Sequence, residues 1–554
     1  SGGSINLDQS VLGGNNGAKG SGGAVTINQT GDVTASGTRS IGIVAQSIGG
    51  GGGFVSLVSK DGGINNASNL AIGAVPSSSS NGNGGVVNVT IGNGSSISMT
   101  GTNVIAILAQ SVGGGGGAFV TSGSGTITPT YNKGTGSGGA VTVNVNGPIT
   151  VSGKNATGVV AESVGGGGGL AVSGSITTYG GGKGTGDGGA VKVYAKASVT
   201  SKGTGSTAIY ASTVNGKADP FIEIGAGSVV SASGGGTAIA INGANNQLVN
   251  YGSILAGNLS ADNAVDILSP GVNDFQNHGT MSGRITNAAA ANVGFTNHAS
   301  ARFTSVGGLG FMGGNTFTNK GYFISHSGVD NTVSAHRFTG KFDQTSTGIL
   351  GINFDHNASL SDLMILEESG TVNLAGKAQA NFLNAGLIKP GTVQVETHRA
   401  NSAGSTLAID DAFTVDRTAI MDISFLKSPT NLKLVSTANF APAGLSSYAS
   451  QVGNAIGSYQ TAGSNALFQS ATAQLVTLPT VSDLEQAYYK LAGSAIQAMP
   501  QANYQAVTRG VGAVSDRMNA WRVGDSFATT KTPRARKNGL GLANTSEAPQ
   551  IATG

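Results

Sequence analysis

The chain has 554 residues, of which 93 are glycine and none is cysteine, and its 29 basic residues nearly cancel its 26 acidic ones, for a formal net charge of +3. Without cysteine there is neither a disulfide framework nor a thiolate zinc site, and the near-neutral balance argues against a polyanion-binding protein, so no nucleic-acid partner is expected. A hydrophobic share of 38% is too high for a disordered chain, and the glycines lack the every-third-residue spacing of collagen.

The sequence opens within glycine-rich repeats, with no initiator Met and no signal peptide, and is read as a piece of something longer. No run of 18 apolar residues suits a membrane-spanning helix. Four copies of one unit fill the first 217 residues. Ile43-Val44-Ala45-Gln46-Ser47-Ile48, Ile107-Leu108-Ala109-Gln110-Ser111-Val112 and Val159-Val160-Ala161-Glu162-Ser163-Val164 each precede five glycines; the fourth copy, around Ala208-Ile209-Tyr210-Ala211-Ser212, has none. The serine recurs at 47, 111 and 163, spacings of 64 and 52. Val87, Val89 and Ile91 alternate with polar residues, as do Val141, Val143 and Val145, the period of a strand with one buried face. Glycine costs about 1 kcal/mol per residue in a helix interior, so strands are expected here. A repeat this long is expected to hold two or three coils of a solenoid.

Beyond Phe221 a second pattern appears: an apolar residue, Asn two later, then Gly or Ala. It reads Leu248/Asn250/Gly252, Phe275/Asn277/Gly279, Phe295/Asn297/Ala299, Phe317/Asn319/Gly321 and Phe382/Asn384/Gly386. Asn and Gly tolerate the left-handed turn conformation. The first four asparagines are spaced 27, 20 and 22, the size of one turn of a parallel β-helix. Stacked asparagines would share amide hydrogen bonds along the axis, and the phenylalanines would stack inside. About 20 coils would make a rod on the order of 100 Å long.

Helical spacing starts at Leu445, with Tyr448, Val452, Ile456 and Tyr459. Ser482 to Glu485 reads as a capping box, followed by Leu484, Ala487, Leu491, Ala495 and Ala498 on one face up to Pro500. A third helix carries Tyr504, Val507, Val511, Val514, Met518 and Trp521. The tail is polar, with a small basic cluster at Lys531, Arg534, Arg536 and Lys537 that is read as linker rather than as a site for nucleic acid or anionic lipid.

A long cysteine-free, Gly- and Asn-rich solenoid with a helical end resembles the passenger of a monomeric bacterial autotransporter. The strongest match in motif is Leu484 to Met518, especially Ala487-Tyr488-Tyr489-Lys490-Leu491-Ala492-Gly493-Ser494-Ala495 and Val511-Gly512-Ala513-Val514-Ser515-Asp516-Arg517-Met518, similar to the stretch such proteins carry before their membrane barrel. The resemblance implies type V secretion to the bacterial cell surface and a helix threading a C-terminal outer-membrane β-barrel, expected beyond Gly554. It also implies folding-promoting terminal coils between Leu407 and Pro442. The expected fold is all-β: a right-handed parallel β-helix with glycine-rich repeats, followed by a short α-helical region. The expected organisation is a glycine-rich solenoid over 1–217, a regular β-helix over 218–406, terminal coils over 407–443, a helical linker region over 444–525 and a flexible linker over 526–554.

The search for chemistry yields no catalytic, cofactor or metal residue to commit to. The five-glycine runs lead into Phe54, Ala118 and Leu170 rather than the Gly-Lys-Ser/Thr of a phosphate loop. Ala45-Gln46-Ser47-Ile48-Gly49 is one residue off a nucleophile elbow, and its recurrence favours a structural ladder. The histidines, at 278, 298, 326, 336, 356 and 398, form no His-Glu-x-x-His. His278, His298 and Lys320 hold equivalent repeat positions, which favours a solvated turn over a metal stack. Glu367-Glu368 and Asp410-Asp411 are the candidate acid/base pairs, but neighbours on a strand point to opposite faces. Between Ser1 and Asp219 the only acids are Asp8, Asp32, Asp61, Glu162, Asp187 and Asp219. The expected function is a non-enzymatic adhesin or self-association protein. Its partner would be a host-surface or matrix receptor, or the passenger of a sister cell. The alternative is a β-helix enzyme that cleaves polysaccharide. A trimeric autotransporter head is disfavoured by the lack of stalk heptads.

Overall fold

A computed structural model describes residues 5–6, 11–12, 19–57, 64–65, 71–72, 81–121, 130–131, 134–173, 176–181, 184–216, 218–258, 261–287, 291–306, 315–326, 332–463, 466–492, 507–516 and 518. The chain divides into two compact units, Ser1–Leu484 and Glu485–Gly554.

The first unit is a parallel β-helix. Its first face is a twelve-stranded sheet that runs from Val25–Gln29 through Val87–Ile91, Val141–Val145 and onward to Thr406–Ile409. Every neighbouring pair is parallel. Each strand is one turn of the solenoid, so twelve turns at about 4.8 Å give roughly 55 Å, about half the length expected from the sequence. A second face stacks beside it, from Val33–Ser36 to Thr414–Val415. The third face begins with Ile41–Ile48, Ile105–Val112, Thr157–Val164 and Thr207–Val214, all in register. From Ala335 the third position is taken by another sheet, in which Ala335–Phe338, Leu363–Leu366 and Gly391–Ala400 run parallel. Asn431–Ala438 and Met421–Lys427 close that sheet antiparallel.

The repeats of 52 to 64 residues hold one turn each, not two or three. Ala45, Ala109, Ala161 and Ala211 pair directly across successive repeats. The extra length leaves the core after the glycine run. Gly52–Leu57, Gly116–Thr121 and Gly168–Ser173 build a separate ladder, closed by the antiparallel strand Ile176–Gly181. Glycine is needed at that exit: Gly116 has φ +139°, and a Cβ there would strike the carbonyl oxygen of Gly168 on the next turn.

The core is read most simply as columns. One column of the first face runs Val89, Val143, Val193, Ile222, Leu248, Phe275, Phe295, Phe317, Phe342, Val372, Leu407. Phe295, Phe317 and Phe342 stack at 5.1 Å between centroids. Phe303 and Phe323 on the second face meet Phe317 edge-on, an arrangement worth about 0.5–1.5 kcal/mol per pair beyond burial. The expected aromatic stack is therefore present as three rings, with Phe275 in register one turn above and Leu248, Ile222 and valines filling the column beyond it.

Two helices of the first unit, Ser447–Ala462 and Ala466–Val476, dock on the last turns. Gly457 lies against Pro390 and Phe440. Gln460 bridges outward, accepting from Ile388 N–H at 3.0 Å and donating to Thr472 Oγ1 at 2.8 Å. The buried face of the first of these helices is Ala449, Gly453, Ile456, Gly457 and Gln460. Of the expected apolar stripe only Ile456 is on it, because small residues allow close approach to the end of the solenoid; Tyr459 stays exposed.

The helix Val481–Leu491 is capped by Thr480 and not by the expected Ser482. Asp483 N–H donates to Thr480 Oγ1 at 3.1 Å, and that hydroxyl donates to Asp483 Oδ2 at 2.6 Å. Leu484 and Tyr488 are its buried residues, whereas Leu491 is exposed, so the buried face is set by an i, i+4 pair rather than by the expected stripe. Ala495, Ala498, Tyr504, Trp521 and the basic cluster at 531–537 lie outside the described residues. In the second unit residues 507–516 are helical, and Val507, Val511 and Val514 are about 60% exposed.

Candidate functional site

The serine of the glycine-rich repeats is a structural clamp. Ser47 Oγ donates to Gly23 O at 2.7 Å and accepts from Gly85 N–H at 2.8 Å. Ser111 does the same between Gly85 O and Gly139 N–H, and Ser163 between Gly139 O and Gly189 N–H. Each hydroxyl satisfies a carbonyl of its own turn and an amide of the next, so its proton and one of its two lone pairs are held by the backbone, and among the described residues no hydrogen bond joins it to a general base.

Beside it runs an amide ladder that becomes fully buried at Gln110 and Glu162. Gln46 Nε2 donates to Gln110 Oε1, and Gln110 Nε2 to Glu162 Oε2, both at 2.7 Å. Glu162 is fully buried, and its Oε1 has no hydrogen-bond partner. Burial pushes its carboxyl up to about 7, with the Gln110 bond pulling the other way.

The expected asparagine ladder is present and faces inward. Asn250 Nδ2 donates to Asn277 Oδ1, Asn277 to Asn297 and Asn297 to Asn319, each at 2.8 Å; Asn319 donates to Gln344 Oε1 at 3.1 Å. The second amide hydrogen of each asparagine closes on a backbone carbonyl one turn on: Thr280, Arg302, Tyr322 and Ile349. Asn384 is not part of this ladder. It sits in a turn at φ +54° and bonds Asp355, while Leu374 occupies the rung after Gln344.

On the rim, Tyr251, His278 and His298 stack in line, the two imidazoles 3.8 Å apart. His298 Nε2 lies 2.7 Å from Gln276 Oε1. Burial lowers the His298 pKa, helped by His278 and Lys320 nearby. Neither candidate acid/base pair forms a cleft. Glu367 pairs with Arg337, and Glu368 is exposed in a turn at φ +55°. Asp410 and Asp411 are exposed in a turn whose carbonyls accept from Lys427 Nζ.

The chemically distinctive place is inside the solenoid, between the second face and the sheet that replaces the third. A cavity of about 30 Å³ is lined by Phe323, Ser325, Leu350 and Ile352 on one side and by His336, Asp362, Met364 and His398 on the other. His336 pairs in register with Met364, and Met364 with His398, so the three occupy one row across adjacent strands. His336 Nε2, His398 Nε2 and Ser325 Oγ are buried without a hydrogen-bond partner. Full burial pushes the His398 imidazole down to about 4, and burial lowers His336 as well. Asp362 Oδ1 accepts from Ser334 N–H at 2.7 Å and Ser334 Oγ at 2.9 Å, and Oδ2 from Asn353 N–H at 2.9 Å. Burial raises its carboxyl to about 6 against these bonds.

Sequence reasoning noted both histidines singly and missed their convergence with Met364 and Asp362. The residues come from three successive turns, and only the strand register brings them together. The His326 side chain lies outside the described residues. No known family model and no curated protein matches the chain.

Proposed function

We propose that this chain is the surface-exposed passenger of a monomeric bacterial autotransporter, acting as a non-enzymatic adhesin or self-association protein and exported through a C-terminal barrel. The observation that carries this reading is the outer surface of the first face. Thr26, Asn88 and Thr142 form one row across successive turns, and Asn28, Thr90 and Asn144 the next; Thr296 and Thr318 continue the type further down. Over these first three turns the surface repeats one polar contact every turn, or about 4.8 Å, before Phe221 and Val249 interrupt the two rows, and repetition multiplies weak contacts.

Two physical features support the export part. A cysteine-free chain forms no disulfide that would block threading through a pore. A solenoid whose turns contact mainly their neighbours can add them one at a time as they emerge. The exposed Val507, Val511 and Val514 stripe suits a helix whose partner lies elsewhere. The polysaccharide-cleaving alternative has less support, because neither candidate acid/base pair converges: Glu367 pairs with Arg337 while Glu368 is exposed, and Asp410 and Asp411 sit exposed in a turn.

The test is display of the chain on a non-adherent bacterium through an outer-membrane barrel, with an antibody confirming exposure. Cell settling or retention on matrix-coated wells is the expected result. Display without either, together with release of reducing ends from a polysaccharide panel, would favour the enzyme.

A further inference from the structure

We propose that His336, Met364 and His398 form the donor set of a buried site for one soft monovalent metal ion, copper(I) by its chemistry. Three independent observations lead there.

The first is the fixed tautomer of His398. Its Nδ1 lies 3.1 Å from Thr397 Oγ1, and Thr397 spends its only hydroxyl proton on Leu432 O at 3.1 Å. Thr397 therefore accepts, so Nδ1 carries the hydrogen and Nε2 carries a lone pair. This is the outer-sphere arrangement that orients a ligating histidine. The lone pair is buried and meets no protein donor, and His398 lines the cavity. His398 itself is only 3% exposed.

The second is the row itself. Met364 stands between the two histidines on the neighbouring strands, one strand spacing of about 4.8 Å from each. Among the described residues no three His, Asp or Glu side chains converge as metal ligands. The set here is two imidazoles and a thioether. Thioether sulfur selects soft ions, and copper(I) accepts both sulfur and imidazole, whereas magnesium, calcium and manganese prefer oxygen.

The third is charge. Asp362 lines the same cavity and takes part in none of the ion pairs among the described residues. Two neutral imidazoles and a thioether add no charge, so one monovalent cation would balance this carboxylate. The cavity has the size for a single ion. His336 and Met364 are only partly buried, which leaves a route in from the surface.

The experiment uses the purified chain with silver(I), an air-stable probe of the same softness, and with copper(I) held under ascorbate against a chromophoric bicinchoninate competitor. Metal retained after desalting is counted by mass spectrometry. The expected result is about one equivalent retained by the wild type, with affinity falling about tenfold or more in Met364→Leu. Met364→Leu conserves volume and keeps the core packed, so loss of metal there is not loss of fold; circular dichroism checks this. The rim variant His278→Ala/His298→Ala retains its equivalent. The proposal is overturned if the wild type retains neither ion, if Met364→Leu binds as tightly as wild type, if the rim variant loses the metal, or if zinc(II) is held and silver(I) is not.

Discussion

Gln110 Nε2 donates to Glu162 Oε2 at 2.7 Å with both side chains fully buried, and Glu162 keeps its other oxygen without a partner. The amide ladder thus ends on the one residue of the column that can ionise, at a depth where ionisation is costly.

Glu162 makes the solenoid alkali-sensitive in a defined window. Its carboxyl rises from an ordinary 4.5 to about 7 in the fold, so the folded state holds the proton more tightly than the unfolded state. Stability contributed by this group is fully present below about 4.5, falls as pH rises to about 7, and is level above. The difference is on the order of 3 kcal/mol. Glu162→Gln extends the Gln46–Gln110 ladder without a charge. Urea unfolding followed by circular dichroism is expected to show the variant about 2–3 kcal/mol more stable than wild type at pH 8 and nearly equal at pH 4. Equal stability at pH 8 would disprove the assignment.

His398 acts in the opposite direction. Its imidazole is held near 4 by burial, below the ordinary value of 6.5, so its contribution is present above about 6.5 and lost as pH falls toward 4. In the metal-free wild type, titration of the resolved His398 ring proton by NMR is expected to give a midpoint near 4. A midpoint near 6.5 would mean the ring is solvated.

Ser111→Ala removes two buried hydrogen bonds at once, to Gly85 O and from Gly139 N–H, both 2.8 Å. Leaving two backbone groups unsatisfied is expected to cost about 2–4 kcal/mol. The repeat serines are clamps in this reading, so a serine-reactive fluorophosphonate probe is expected to leave the wild type unlabelled.

Asn297→Asp replaces a donor with acceptors only. Asn297 accepts from Asn277 and donates to Asn319 Oδ1 at 2.8 Å and Tyr322 O at 3.0 Å. A carboxylate would keep the first bond and face two acceptors. A loss of about 3 kcal/mol or more is expected at pH 7, partly recovered at pH 4 as the carboxyl protonates. A pH-independent loss would argue against the ladder.

Two glycines of the repeat runs separate space from sequence. Gly116→Ala places a Cβ against Gly168 O at φ +139°, whereas a Cβ at Gly53 meets nothing within 4 Å. Gly116→Ala is expected to cost about 3 kcal/mol or more, and Gly53→Ala less than about 1. Thermal unfolding of the two variants gives the comparison directly.

The strands were legible because their cause is local. Val87, Val89 and Ile91 alternate, and an apolar residue with Asn two later announces a strand ending in an inward amide. The same local rule misplaced Asn384, whose turn lies at a different corner. It also misjudged the repeat length, since a glycine run reads alike whether the chain turns within the core or leaves it. The row of His336, Met364 and His398 was not legible at all. It depends on register between turns of unequal length, which hydrophobic pattern leaves open.

In the glycine-rich repeats most of that inequality falls at one corner, with only two further residues between Ile91 and Ile97 relative to Gln29 and Val33. Repeats 64 and 52 residues apart still meet rung for rung, as Gln46, Gln110 and Glu162 do, because the surplus is carried outside the stack after the glycines. Unequal crossing-over between such repeats in the gene would therefore insert or delete one complete rung on every face, and the flanking rungs would rejoin in frame. Reach becomes a heritable quantity that changes in whole steps of about 4.8 Å, and lineages can vary it without having to reinvent a fold.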